Sequence, residues 1–237
     1  MYSGLLLGLT LLLFVIVGTN PQHPVVQPID DWWFRVIDSV RSPFSTTLAK
    51  VLDFLGGVYV TTPIRIGVTI WLLFRRRWRA LATWLLTWVL SEVTVTIVKA
   101  WFDRQRPPGT LVAVSGSSFP SGHATAVAAT AVALVLVLLP EGPTRRKWEI
   151  TAVAVTFLMS LSRTYLNAHW LSDVVAGSLL GAGVAILSAG ITTEVRDAVM
   201  RRRARTAGAS PRDRSQASPG APADPPDPPE GRAPVPP

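Results

Sequence analysis

The sequence contains no cysteine, which excludes disulfides, thiolate metal sites and a cysteine nucleophile. It is also poor in charge. Only 16% of its 237 residues are Asp, Glu, Lys or Arg, against about 25% in an ordinary soluble domain. That shortfall argues against a soluble globule. Of the charged residues, 11 lie after Met200, as do half of the 20 prolines. The first 200 residues are therefore more apolar than the whole-chain figures suggest. Residues 201–237 lack apolar periodicity and read as a disordered Arg/Pro-rich tail. The net charge of +8 does not point to nucleic acid, because the arginines sit in short runs beside apolar stretches rather than interleaved with aromatics along one face.

Crossing a hydrocarbon core takes about 20 helical residues, with roughly 17 to 25 tolerated. Six stretches suit this: Tyr2 to Gly18, Phe54 to Phe74, Ala80 to Val98, His123 to Leu139, Trp148 to Leu166 and Leu171 to Thr192. The first has no Lys or Arg before its apolar run, and Val17-Gly18-Thr19-Asn20-Pro21 is a poor cleavage site, so a retained helix is expected rather than a signal peptide. Twelve cations lie in alternate connections: Arg75, Arg76, Arg77 and Arg79, then Arg145, Arg146 and Lys147, then Arg196, Arg201, Arg202, Arg203 and Arg205. The positive-inside bias makes that side cytoplasmic, with both termini. The fold expected is all-α: a multi-pass bundle of six transmembrane helices over residues 1–200, with residues 201–237 as a cytoplasmic tail. Residues 19 to 53, 99 to 122 and 163 to 170 are left facing out. Within the first of these, Ile29, Trp32, Trp33, Val36, Ile37 and Val40 have helical spacing and suit an amphipathic helix at the outer interface, read as an aromatic anchor.

The outward connections gather chemistry on the side that the charge bias depletes of cations. After the third span come Lys99 and Arg106-Pro107, then Pro120-Ser121-Gly122-His123 opening the fourth; the fifth ends in Ser162-Arg163 and leads to His169 and Asp173. Singly, each residue has an ordinary explanation, such as an interfacial snorkelling cation or a turn. Together they suit a phosphate ester, whose bare oxygens match the planar fork of arginine and the compact charge of lysine. Gly122 lets backbone N–H groups approach a ligand where a helix begins, at its positive dipole end. His169 and Asp173 are four residues apart, on one helical face. There a carboxylate can keep one imidazole nitrogen protonated and leave the other as a nucleophile. His123 can protonate the departing oxygen.

Lys-x6-Arg-Pro (Lys99 to Pro107), Pro-Ser-Gly-His (Pro120 to His123) and Ser-Arg-x5-His-x3-Asp (Ser162 to Asp173) together resemble the three-part signature of the type 2 phosphatidic acid phosphatase superfamily. The resemblance covers about Phe54 to Thr192 and does not reach the tail. It implies that Lys99, Arg106, Ser121, Gly122 and Arg163 bind phosphate. It further implies that His169 attacks phosphorus to form a phosphohistidine, Asp173 orients it, and His123 protonates the leaving group and later activates water. No metal and no cofactor are expected, since cationic side chains would supply the electrostatics.

The activity expected is hydrolysis of the phosphate or diphosphate of a membrane lipid at the outer face of the cell membrane. A polyprenyl diphosphate is the first choice of substrate, and phosphatidic acid or phosphatidylglycerol phosphate the alternative. A non-hydrolysing lipid-phosphate binder or flippase would need the anion cradle but not both histidines and Asp173. Besides the bilayer and its lipid, the tail's Pro-x-x-Pro spacings offer a site for a protein partner, although a disordered tether is the plainer account. The sequence does not speak to oligomeric state. Arg65 and Glu92 each fall inside a span, where unpaired charge is costly. At about 1.5 Å per residue they lie at depths of roughly 16 and 10 Å, which suits an ion pair between neighbouring spans; the alternative is a second span that starts nearer Thr61, with Arg65 snorkelling to the outer interface.

Overall fold

The computed structural model describes residues 2–208, and all regular structure among them is helical. The chain divides after Val195 into two compact units. Everything below belongs to the first; the described part of the second, residues 196–208, is helical.

Eight helices follow in order: α1 Tyr2–Gly18, α2 Gln27–Ser39, α3 Pro43–Gly56, α4 Val58–Phe74, α5 Trp78–Trp101, α6 Gly122–Leu138, α7 Pro143–Tyr165 and α8 Leu171–Gly208. Three stretches are long and apolar enough to cross a membrane: Pro43–Phe74, Trp78–Trp101 and Leu171–Arg202. Ser3–Gly18 and Gly122–Leu138 are apolar but shorter. α7 opens with Arg145, Arg146, Lys147 and Glu149 and does not reach the same standard. Helix length and composition among the described residues thus support three of the six expected crossings. α8 continues past Met200 to Gly208; the rest of the expected tail lies outside the described residues.

The second expected span departs most from the sequence reading. Its chain is already helical eleven residues before Phe54, and the helix breaks at Gly57 into α3 and α4. The start was written locally. Ser42 is an N-cap whose Oγ accepts from Ser45 N at 3.1 Å, and Pro43 holds the first helical position, where its missing N–H costs nothing. α2 is the expected amphipathic helix. Ile37 is buried and Trp33 packs beside it against α3 and α7, while Ile29, Trp32 and Val40 stay exposed.

Close approach between α6 and α8 sets the frame for the site. α6 turns buried Ala124, Ala128, Ala129 and Ala133 inward. α8 answers with Gly177 and Gly181: a Cβ on Gly177 would stand 2.6 Å from the Ser121 carbonyl oxygen, and one on Gly181 would overlap the Thr125 carbonyl. Small residues one turn apart let two backbones touch. Here they bring the first turns of both helices together, and Ser121 N donates to Asp173 O at 3.0 Å.

At the other end of α6, Leu136 and Val137 line a cavity with Arg76, Arg77, Arg79 and Thr192. The first basic connection is therefore about 24 Å of helix away from Gly122. Between the two ends, Arg65 is buried and makes the expected contact with Glu92, Nη1 to Oε1 at 2.5 Å. It also donates from Nε to Thr130 Oγ1 at 2.9 Å and from Nη2 to Ala126 O at 3.1 Å, and lies over the Trp88 ring. One side chain thus joins α4, α5 and α6.

Candidate active site

A cavity of about 420 Å³ opens where α5 ends, α6 and α8 begin and α7 ends, and it is lined by Lys99, Arg106, Gly122, His123, Arg163 and His169. Six of the eight residues singled out from the sequence thus share one wall. The other two stand behind it. Asp173 is fully buried next to His169, and Ser121 is fully buried with its Oγ accepting from Ala124 N at 3.4 Å, so its hydroxyl caps α6.

The cations are held by carbonyls. Lys99 Nζ donates to Ser117 O at 2.6 Å. Arg106 donates to Ala168 O at 2.6 Å, Ser115 O at 2.8 Å, and Gly116 O and Ser117 O at 3.2 Å. Burial lowers the proton affinity of Arg106, with Asp173 opposing. Arg163 reaches Asp53 of α3 through Nη1, and its Nε is buried without a partner.

His169 has one tautomer open to it when neutral. Nδ1 lies 2.7 Å from the Ser118 carbonyl oxygen, which can only accept, so the proton sits on Nδ1 and the lone pair on Nε2. Nε2 faces Arg106 Nη1 at 3.4 Å. Burial pushes this imidazole down to about 3; hydrogen bonding and charge from Asp173 oppose the shift, and Arg163 and Arg106 add to it. At neutral pH it is an uncharged nitrogen base next to two guanidiniums.

Asp173 is 3.6 Å from His169 Nδ1, farther than the Ser118 carbonyl. Its stronger partners are Ser118 Oγ, Trp170 N at 2.8 Å and Arg104 Nη1 at 2.6 Å. It orients the histidine largely by fixing the Ser118 segment and the turn before α8.

Sequence reasoning missed Arg104 and Asp30. Arg104 is buried between two carboxylates: Nη1 on Asp173 and Nη2 on Asp30 Oδ2 at 2.7 Å. Asp30 accepts in addition from Ser172 N and Oγ at 2.8 and 2.6 Å. Burial pushes the Asp30 carboxyl up, against these hydrogen bonds and the Arg104 charge. Through this chain the amphipathic helix α2 is tied to Asp173. Arg41, also missed, donates to Tyr165 O at 3.2 Å and Asn167 Oδ1 at 3.0 Å, which steadies the loop between α7 and His169. A signal for Asp30 and Arg104 was available only as charge on otherwise apolar or motif-bearing segments. Among the described residues no group of three or more His, Asp or Glu converges as a metal site would require.

Comparison with known proteins places the chain among lipid phosphatases of one superfamily. Residues 80–197 match the family model of the PAP2 superfamily. The chain is 26% identical over 191 residues to phosphatidylglycerophosphatase B of Bacillus subtilis, covering 78% of this chain and 94% of that one. It is 33% identical over 163 residues to an undecaprenyl-diphosphatase of Sulfolobus acidocaldarius, covering 65% and 74%. Among solved structures it resembles the transmembrane PAP2-type phosphatidylglycerolphosphate phosphatase of Bacillus subtilis, with a TM-score of 0.72 at 26% identity over 82% of this chain and 98% of that one.

Proposed function

The chain belongs to the PAP2 superfamily, and we propose that it is a six-span membrane phosphatase that hydrolyses a lipid phosphate or diphosphate at the outer face, without a metal ion. The observation that carries this reading is the fixed tautomer of His169, whose Nε2 lone pair faces a cavity walled by Lys99, Arg106 and Arg163. Cations at that wall offset charge on the phosphoryl oxygens. His169 Nε2 attacks phosphorus, the bond to the leaving oxygen breaks, and a His123 imidazolium gives that oxygen its proton. In the second step neutral His123 takes a proton from water as it attacks the phosphohistidine. Inorganic phosphate leaves, and both histidines return to their starting states. Ser121 and Gly122 contribute through the start of α6, which Ser121 caps and whose first residue, Gly122, lines the cavity at the positive end of the helix.

Among substrates we favour a polyprenyl diphosphate, the type of lipid named for the archaeal relative at 33% identity. Phosphatidylglycerol phosphate is the second reading, favoured by the Bacillus relative's coverage of nearly its whole length. Phosphate release from prenyl diphosphate, phosphatidylglycerol phosphate and phosphatidic acid, side by side in detergent with a chelator present, tests class and substrate together. A kcat/KM highest on the prenyl diphosphate and insensitive to chelator supports the reading. Release from none of the three contradicts it, and loss on chelation removes the metal-free mechanism.

The outward site rests on the basic connections at the opposite end. Because the chain has no native cysteine, an impermeant thiol reagent should label Thr110→Cys in intact cells, and Thr144→Cys only after lysis. Labelling in the reverse order would place the site inside.

A further inference from the structure

A carboxylate that the motif does not account for contacts two residues of the cavity wall. Asp53, in the last turn of α3, comes from a helix that the sequence reading left as connection. Its Oδ1 accepts from Arg163 Nη1 and lies 3.5 Å from His123 Nε2. A side chain added at Gly57 would stand 3.6 Å from that same nitrogen, so the α3–α4 break is where the imidazole docks. His123 otherwise faces cations: Lys99 from α5, Arg106 from the loop after it and Arg163 from α7 share its cavity, with His169 across it. A proton donor that must enter the reaction as an imidazolium is badly placed among three positive charges. An adjacent carboxylate opposes those charges directly.

We propose that Asp53 is a positioning residue for the acid step: it holds His123 by Nε2 and Arg163 by Nη1. The inference rests on the roles given to His123 and Arg163 above. In the first step the imidazolium passes the proton on Nδ1 to the leaving oxygen, and the Nε2 proton stays directed at Asp53. The site is then built from two histidine–carboxylate pairs, Asp173 with His169 for attack and Asp53 with His123 for proton delivery.

The test uses two soluble esters, p-nitrophenyl phosphate, whose leaving group needs little protonation, and an alkyl phosphate, whose leaving group needs it fully. General acids contribute about 100- to 10,000-fold where the leaving group is poor. Asp53→Asn should therefore lower kcat/KM, which reports the leaving-group step apart from the later hydrolysis, at least roughly tenfold more on the alkyl ester than on the phenolic one. Asp53→Glu should recover part of the loss, and Asp53→Asn should cost little further kcat/KM in a His123→Ala background. Should Asp53→Asn not accumulate as folded protein, Asp53→Ser is read on the same two esters. Equal losses on the two esters in the Asp53 variants, with ester dependence intact in His123→Ala, overturn the role of Asp53 alone. Ester-independent losses in His123→Ala overturn the acid assignment and this proposal with it.

Discussion

The two histidines of the site sit in opposite surroundings. His169 is 3% exposed and Asp173 fully buried, enclosed by Ser118, Arg104 and the Trp170 backbone. The His123 side chain, which lines the same cavity, is 31% exposed, and that of Asp53 beside it 20%. Enclosure gives His169 the single tautomer and uncharged ring that the proposed attack on phosphorus requires. Partial exposure suits His123 to the proposed exchange of a proton with a leaving group and then a water. Under this proposal two residues of one type divide the reaction by depth and by which oxygen each ring nitrogen faces.

The strongest way to break this difference is to open the closed pair. Arg104→Met leaves Asp30 and Asp173 buried without their shared cation, and removing one partner of a buried ion pair costs about 3 to 5 kcal/mol. Thermal or denaturant unfolding should show that loss, and turnover should fall on good and poor leaving groups alike. Adding Asp30→Asn should return part of the stability. If Arg104→Met unfolds like the parent, the buried network does not support the nucleophile.

A smaller effect sharpens the contrast through pH. In the unfolded chain His169 takes its proton near 6.5, and in the folded protein only near 3. Between those values the unfolded state binds more protons, so stability declines as pH falls through that window. The melting temperature followed from pH 7 to pH 4 should drop less steeply in His169→Gln than in the parent. Equal slopes would mean that the enclosed ring is not held neutral.

The smallest effect is expected beneath both pairs. Arg65 keeps Thr130, the Ala126 carbonyl and the Trp88 face when Glu92 is lost, and Glu92 is half exposed. Glu92→Gln should therefore cost about 1 kcal/mol or less. Arg65→Met should cost more, roughly 1 to 3 kcal/mol, since it strands buried acceptors on α6. Double-mutant unfolding measures the coupling, and additive losses would show that the two charges do not stabilise each other.

The motif residues were legible because each chemistry-bearing side chain lies in one of three short segments. Lys99, Arg106, Gly122, His123, Arg163 and His169 duly line one cavity. Asp53, Asp30 and Arg104 were not legible, since their partners lie far along the chain: 110 residues separate Asp53 from Arg163 and 74 separate Asp30 from Arg104. No periodicity marks a charge as buried. The α3 helix was announced by Ser42-Pro43, but its caps were overlooked because the apolar run seemed to begin at Phe54. The Arg65 contact was legible because charge inside an apolar run is conspicuous and demands a partner.

The division of labour is tested most directly by trapping the intermediate. Radiolabelled p-nitrophenyl phosphate, whose leaving group needs little protonation, is mixed with enzyme and quenched in alkali, and acid-labile, alkali-stable phosphate on the protein is counted. The parent should carry label, His123→Ala should still carry it and accumulate it as hydrolysis slows, and His169→Ala should carry none. Label on His169→Ala, or its absence from His123→Ala while the parent is labelled, would contradict the account.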